Sequence, residues 1–201
     1  MDNIECKRKA FHIGAGFTII AAIYFNILTP LRLFVIILSG IPLCYALRKH
    51  TIQPFTWLAK QFEREKSLKS LPGKSVLFFL TGALITITLF EKDIAIAGIL
   101  ILTLGDALSP LFGINYGKIK HPFSNKKYIE GSIIGFLAAF IGIMLFTVWG
   151  YINITPIEAF VSAFIAMLIE GIEIKLHREL HDDNIIIPIV AGLVIWVIRL
   201  L

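Results

Sequence analysis

Seven apolar runs separated by polar or basic connections constrain this chain more than any other feature. They cover residues 10–28, 31–47, 76–90, 94–112, 129–148, 157–174 and 185–201. Each approaches the ~17–25 residues that a membrane-spanning helix needs, the third and last being short. Helix is expected throughout, because an open sheet would leave backbone groups unpaired in hydrocarbon. The chain is 57% apolar and 16% charged, with a mean hydropathy of +0.81. A soluble domain would carry about 25% charged residues. The expected fold is therefore all-α: a polytopic membrane helix bundle of about seven transmembrane helices, forming one domain over residues 1–201.

The basic residues orient this bundle. With the N-terminus placed inside, 16 of the 19 lysines and arginines fall on the inner side. Only Arg32, Lys92 and Arg199 fall outside. Such an asymmetry is the positive-inside pattern, and it predicts a multi-pass protein with a cytoplasmic N-terminus. The net charge of +5 is thereby explained by the membrane, and no nucleic-acid partner is expected. No small-residue cleavage site follows the first run, so it is expected to be a retained helix. Cys6 and Cys44 are expected to be free thiols. Segment 51–70 is polar, with Phe55, Leu58, Ala59 and Phe62 at helical spacing; it fits a helix lying on the inner surface or a solvated connector.

The inner side also carries a spaced series: Asp106, Gly113, Gly117, Lys126, Lys127, Glu130 and Gly131. An acid near a span end is costly unless it has a partner or a function. Mg²⁺ favours one or two carboxylates together with phosphate oxygens. Gly113 and Gly117 would let backbone N–H groups approach phosphate, and Lys126 and Lys127 would neutralise it. Glu130 fits the first turn of the next helix, where an acid complements the dipole; beside Asp106 it could also bind metal or accept a proton. Residues 106–131 thus read as a polyphosphate-binding loop at a lipid surface. Gly131 and Gly135 also form a GxxxG that suits helix packing.

Further acids lie in the sixth run and after it. Glu170, Glu173 and His177 share one helical face, and Glu170 is deepest in apolar sequence. Asp183 precedes Asn184 at the start of the last run, fitting a helix cap or a metal ligand equally well. His12 lies three residues beyond Lys9, where it could face the same inner cleft. His177 and His181 are not a zincin pair, since Arg178 stands where glutamate is required. The segment 71–75 imitates the end of a P-loop, but Leu68 stands where that motif needs glycine.

The whole series resembles the nucleotide motif D-x-x-A-x3-G-x3-G-x8-K-K-T-x-E-G of the CTP-dependent polyprenol kinases, which include dolichol and phytol kinases. Ser109 replaces the motif alanine, and Tyr128 replaces the threonine. Arg8-Lys9-x-x-His12, Leu71-Pro72-Gly73 and Asp183-Asn184-x-x-x-Pro188 also resemble family signatures. The resemblance implies transfer of the γ-phosphoryl of CTP to an isoprenoid alcohol such as dolichol, phytol or geranylgeraniol. In that reading Asp106 with Asp183 or Glu130 holds Mg²⁺. Lys126, Lys127, Gly113, Gly117, Gly131 and His12 serve the nucleotide, and Glu130 or Glu170 orients or deprotonates the alcohol. Kinship with phosphatidate cytidylyltransferases keeps CDP-lipid synthesis as an alternative. A small transporter using Asp106 and Glu170 as ion sites is the non-enzymatic one.

Overall fold

The computed structural model describes residues 3–63, 65–172 and 182–201. Its helices are α1 (Asn3–Tyr24), α2 (Pro30–Lys49), α3 (Phe55–Phe62), α4 (Glu65–Ser70), α5 (Lys74–Leu89) and α6 (Lys92–Leu100). A π-helical segment, Ile101–Asp106, leads into α7 (Ala107–Tyr116), followed by α8 (Ile129–Val148), α9 (Pro156–Gly171) and α10 (Asp183–Leu200). Among the described residues no strand forms beyond an isolated bridge between Lys120 and Tyr128. The protein is an all-α membrane helix bundle, and among the described residues each expected apolar run has most of its length on helix. Among the described residues Pro30–Lys49, Lys92–Tyr116, Ile129–Val148 and Asp183–Leu200 are long and apolar enough to cross a membrane; Lys74–Leu89 is a shorter apolar helix. Arg64, Glu173, Lys175, His177, Arg178 and His181 lie outside the described residues.

Local chemistry sets the helix starts. Thr29 caps α2 with its side chain, and Pro30 occupies the first turn, where no N–H is needed. At α9, Thr155 and Glu158 form a capping box around Pro156. The run α6–π–α7 is the axis of the bundle. Ile94 through Leu102 are buried without interruption, as a helix apolar on all sides requires. Helices α1, α5, α8, α9 and α10 pack around this axis.

The two ends of the bundle differ in charge. At one end Arg199 donates to Glu158 Oε1 at 2.8 Å and to the Asn153 carbonyl at 2.6 Å. Nearby, Lys92 donates to the Tyr24 carbonyl at 2.6 Å, and Arg32 donates to that of Ile27 at 2.8 Å. The three basic residues expected outside therefore gather at this end, among Tyr24, Tyr151, Phe146 and Trp149. The opposite end carries Lys9, Lys126 and Lys127. There α3 lies against α1, with Phe62 stacked on Phe11 at 4.7 Å, while Phe55 and Trp57 stay exposed. Segment 51–70 forms two short helices, α3 and α4, after a non-helical start at 51–54. Glu63, just past α3, accepts a hydrogen bond from Gly73 N at 2.8 Å, and burial pushes its carboxyl above the ordinary range.

Close backbone approach locks α10 in place. Pro188 has no N–H, so the Asn184 carbonyl lacks its helical donor. That carbonyl presses on Gly82 of α5, where an added Cβ would sit only 2.0 Å from the oxygen. Gly82→Ala should therefore destabilise the bundle by about 1–3 kcal/mol, read as a lower melting temperature in detergent. An unchanged melting temperature would mean that α10 shifts freely along α5.

Candidate active site

Asp106 owes its surroundings to a proline. Pro110 lies four residues on, inside α7, and supplies no N–H to the Asp106 carbonyl. Lys9 from α1 takes that place: its ammonium donates to the Asp106 carbonyl at 2.6 Å and to Asp106 Oδ2 at 2.8 Å. Lys9 is only 2% exposed, so this is a buried partner rather than a surface anchor. His12, one turn along α1, sets Nε2 3.3 Å from the Leu102 carbonyl and 3.8 Å from Asp106 Oδ2. It stands behind the acid. The π-helical segment ends at Asp106 itself; such irregular turns often mark functional sites.

Two more carboxylates meet Asp106 from other helices. One oxygen each from Asp106, Glu170 and Asp183 lies within 4.8 Å of the others. Glu170, near the end of α9, is 2% exposed. Lys127 pairs with Glu170 Oε1 at 2.7 Å and with Asp183 Oδ2 at 3.3 Å, and also donates to the Glu170 carbonyl. Burial opposes the Lys127 charge, but Glu170 and Asp183 outweigh it and raise its pKa above the usual lysine value. Ser109 donates to Glu170 Oε2 at 3.3 Å. The cap of α10 is Asp182, whose side chain accepts from Asn184 N at 3.0 Å. Capping therefore falls to Asp182, and Asp183 turns to the cluster. Three carboxylates make an all-oxygen donor set that suits a hard divalent cation.

These groups line a cleft of about 440 Å³ at the basic end of the bundle. Arg8, Lys126, Tyr128, Pro110 and Gly113 line it as well. Segment 106–131 is not one loop. It is helical through Tyr116, because Pro110 falls in the first turn of α7 and apolar residues follow. Only residues 117–128 connect α7 to α8. Gly113 borders the cleft from within a helix. Gly131 and Gly117 do not line it: a Cβ on Gly131 would sit 2.5 Å from the Ser109 carbonyl, and one on Gly117 would sit 2.4 Å from the Tyr128 ring. Tyr128, where the motif has threonine, also carries Lys120 over its ring at 3.9 Å. Glu130 also lies outside the lining; its carboxylate accepts Lys118 N at 2.9 Å and Ile119 N at 3.1 Å, fixing the start of the connection. Lys9, Ser109 and Asp182 are the members that sequence reasoning missed. Pro110 four residues after Asp106 was a signal for the first.

The chain is 30% identical over 195 residues to an uncharacterized protein of Methanocaldococcus jannaschii, covering 95% of this chain and 92% of that one. It is 28% identical over 204 residues to a probable chloroplastic phytol kinase of Zea mays, covering 96% of this chain and 66% of the relative. It is 24% identical over 216 residues to CTP-dependent diacylglycerol kinase 1 of Eremothecium gossypii, covering 94% of this chain and 65% of the relative. The chain thus spans slightly less than two thirds of these two kinases. No family model and no solved structure matches it.

Lys9→Met should leave the Asp106 carboxylate and carbonyl buried without a donor. Breaking one side of a buried pair costs about 3–5 kcal/mol, so the detergent melting temperature should fall well below that of Lys9→Arg. Equal melting of the two variants would show that the charge at Asp106 is balanced from elsewhere.

Proposed function

The chain belongs to the family of CTP-dependent polyprenol and lipid kinases, and from that premise we propose that it transfers the γ-phosphoryl of CTP to the hydroxyl of an isoprenoid alcohol. The observation that carries this reading is the meeting of Asp106 and Asp183 with the buried Glu170 and with Lys127 at one end of a membrane bundle. Phosphoryl transfer asks the protein for alignment and charge neutralisation more than for covalent chemistry. Asp106 and Asp183 would hold Mg²⁺, with the Glu170 carboxylate beside them. When bound, the ion offsets charge on the polyphosphate.

The remaining work falls to the chain's own groups. Lys126 and Lys127 attract the triphosphate, and Gly113 leaves room beside it. Glu170 would orient the alcohol and take its hydroxyl proton as the oxygen bonds to the γ-phosphorus and CDP departs. Glu130 shapes the connection below the phosphates, with Gly117 and Gly131 allowing Tyr128 and α7 to close against it. Lys9 and His12 position Asp106. The seven helical runs are read as spans, with the N-terminus and cleft on the cytoplasmic side where the nucleotide is found. The alcohol arrives from the bilayer, its tail remaining among apolar helix faces.

The test is a screen of the four nucleoside triphosphates against isoprenoid alcohols and diacylglycerol. CTP with an isoprenoid alcohol should give the highest kcat/KM. Asp106→Asn should lower kcat by about 100-fold or more while the protein still folds in detergent. Undiminished turnover in that variant would defeat the assignment of Asp106, and preference for diacylglycerol would move the substrate to the glycerolipids.

A further inference from the structure

The two lysines that balance the carboxylates are held differently. Lys9 is 2% exposed and is fixed to both the backbone and the side chain of Asp106. Lys127 has 28% of its side chain exposed and stands on the 117–128 connection. Its ammonium meets Glu170 Oε1 and Asp183 Oδ2, two of the three oxygen donors in the cluster. A cation bound by those acids and the Lys127 ammonium would contend for the same negative charge. Lysine suits such an exchange, being a compact charge on a flexible stem. The neighbouring Lys126 lines the same cleft, so a polyphosphate arriving there would give Lys127 a second anionic partner.

We infer that Lys127 is a placeholder cation: it pairs with the Glu170–Asp183 side of the carboxylate cluster, as seen here, and moves onto the phosphates when a divalent ion and nucleotide enter together. This rests on the proposed kinase reading for its second half only. Bare metal binds weakly while Lys127 is in place, which keeps a loaded cluster from forming without its nucleotide. Asp106 stays paired with Lys9 throughout.

The experiment measures Mn²⁺ binding to the purified full chain in detergent, without nucleotide or lipid, by the electron paramagnetic resonance signal of free Mn²⁺. Displacing a charge-assisted contact costs the ion about tenfold to 100-fold in affinity, so Lys127→Met should bind Mn²⁺ tighter than wild type by that factor. Lys127→Arg, which keeps the cation, should bind as weakly as wild type. Lys127→Gln keeps a donor for the Glu170 carbonyl; it should show the same gain and serves if the Met variant does not fold. Mn²⁺ affinity unchanged or reduced in a folded Met or Gln variant would overturn the inference, as would an Arg variant that binds as tightly as Met. Because no turnover is measured, these outcomes stand apart from the kinase reading, which falls if the wild-type chain phosphorylates no lipid alcohol.

Discussion

A charge buried among apolar helices must be balanced within the bundle, and the contact between Lys9 and Asp106 is where that constraint is met most tightly. One ammonium satisfies a carboxylate and a carbonyl that Pro110 has left without a helical donor. It also joins α1 to the axial helix at the level where the other acids arrive. Glu170 from α9 and Asp183 from α10 come to the same level, so each needs compensation of its own. Lys127 supplies it from the 117–128 connection. Five charged side chains from five parts of the chain thereby depend on one another. Burying such charges is expensive, and the proposed phosphoryl transfer gives a reason for keeping them.

Helix packing serves the same end. There is little hydrophobic drive between helices in lipid, so close approach at small residues matters more. Gly82 admits the Asn184 carbonyl, and Gly131 admits that of Ser109. The first contact sets the start of α10, and with it Asp183. The second seats α7 on α8 and places Ser109 beneath Glu170. At the far end Arg199 and Lys92 tie loops and helix ends together.

Much of this was legible in the sequence because membrane helices declare themselves by composition. The apolar runs and the gathering of Arg32, Lys92 and Arg199 at one end follow from residue type and spacing. Asp106, Glu170, Asp183, Lys126 and Lys127 were each singled out, and the fold brings them to one cleft. Tertiary facts were less visible. Lys9 is one of 16 inner-side basic residues in the sequence, and basic residues flank spans whether or not they are buried. Segment 106–131 read as a loop because its glycines suggest flexibility, whereas Gly113 lies inside a helix and Gly117 ends it. Asp183 fits cap and ligand equally well in the sequence, since only the path of the backbone into α10 gives the cap to Asp182 and turns Asp183 to the cluster. Glu130 is near in sequence to the lysines but faces the backbone of the connection.

The central claim is that this cleft moves the terminal phosphoryl of a nucleotide onto a lipid hydroxyl. Incubating the purified chain with CTP labelled at the γ-phosphorus and an isoprenoid alcohol tests it most directly. The account predicts label in the lipid and unlabelled CDP. Label released as pyrophosphate, with cytidine carried into the lipid fraction, would contradict it and assign the cleft to nucleotidyl transfer.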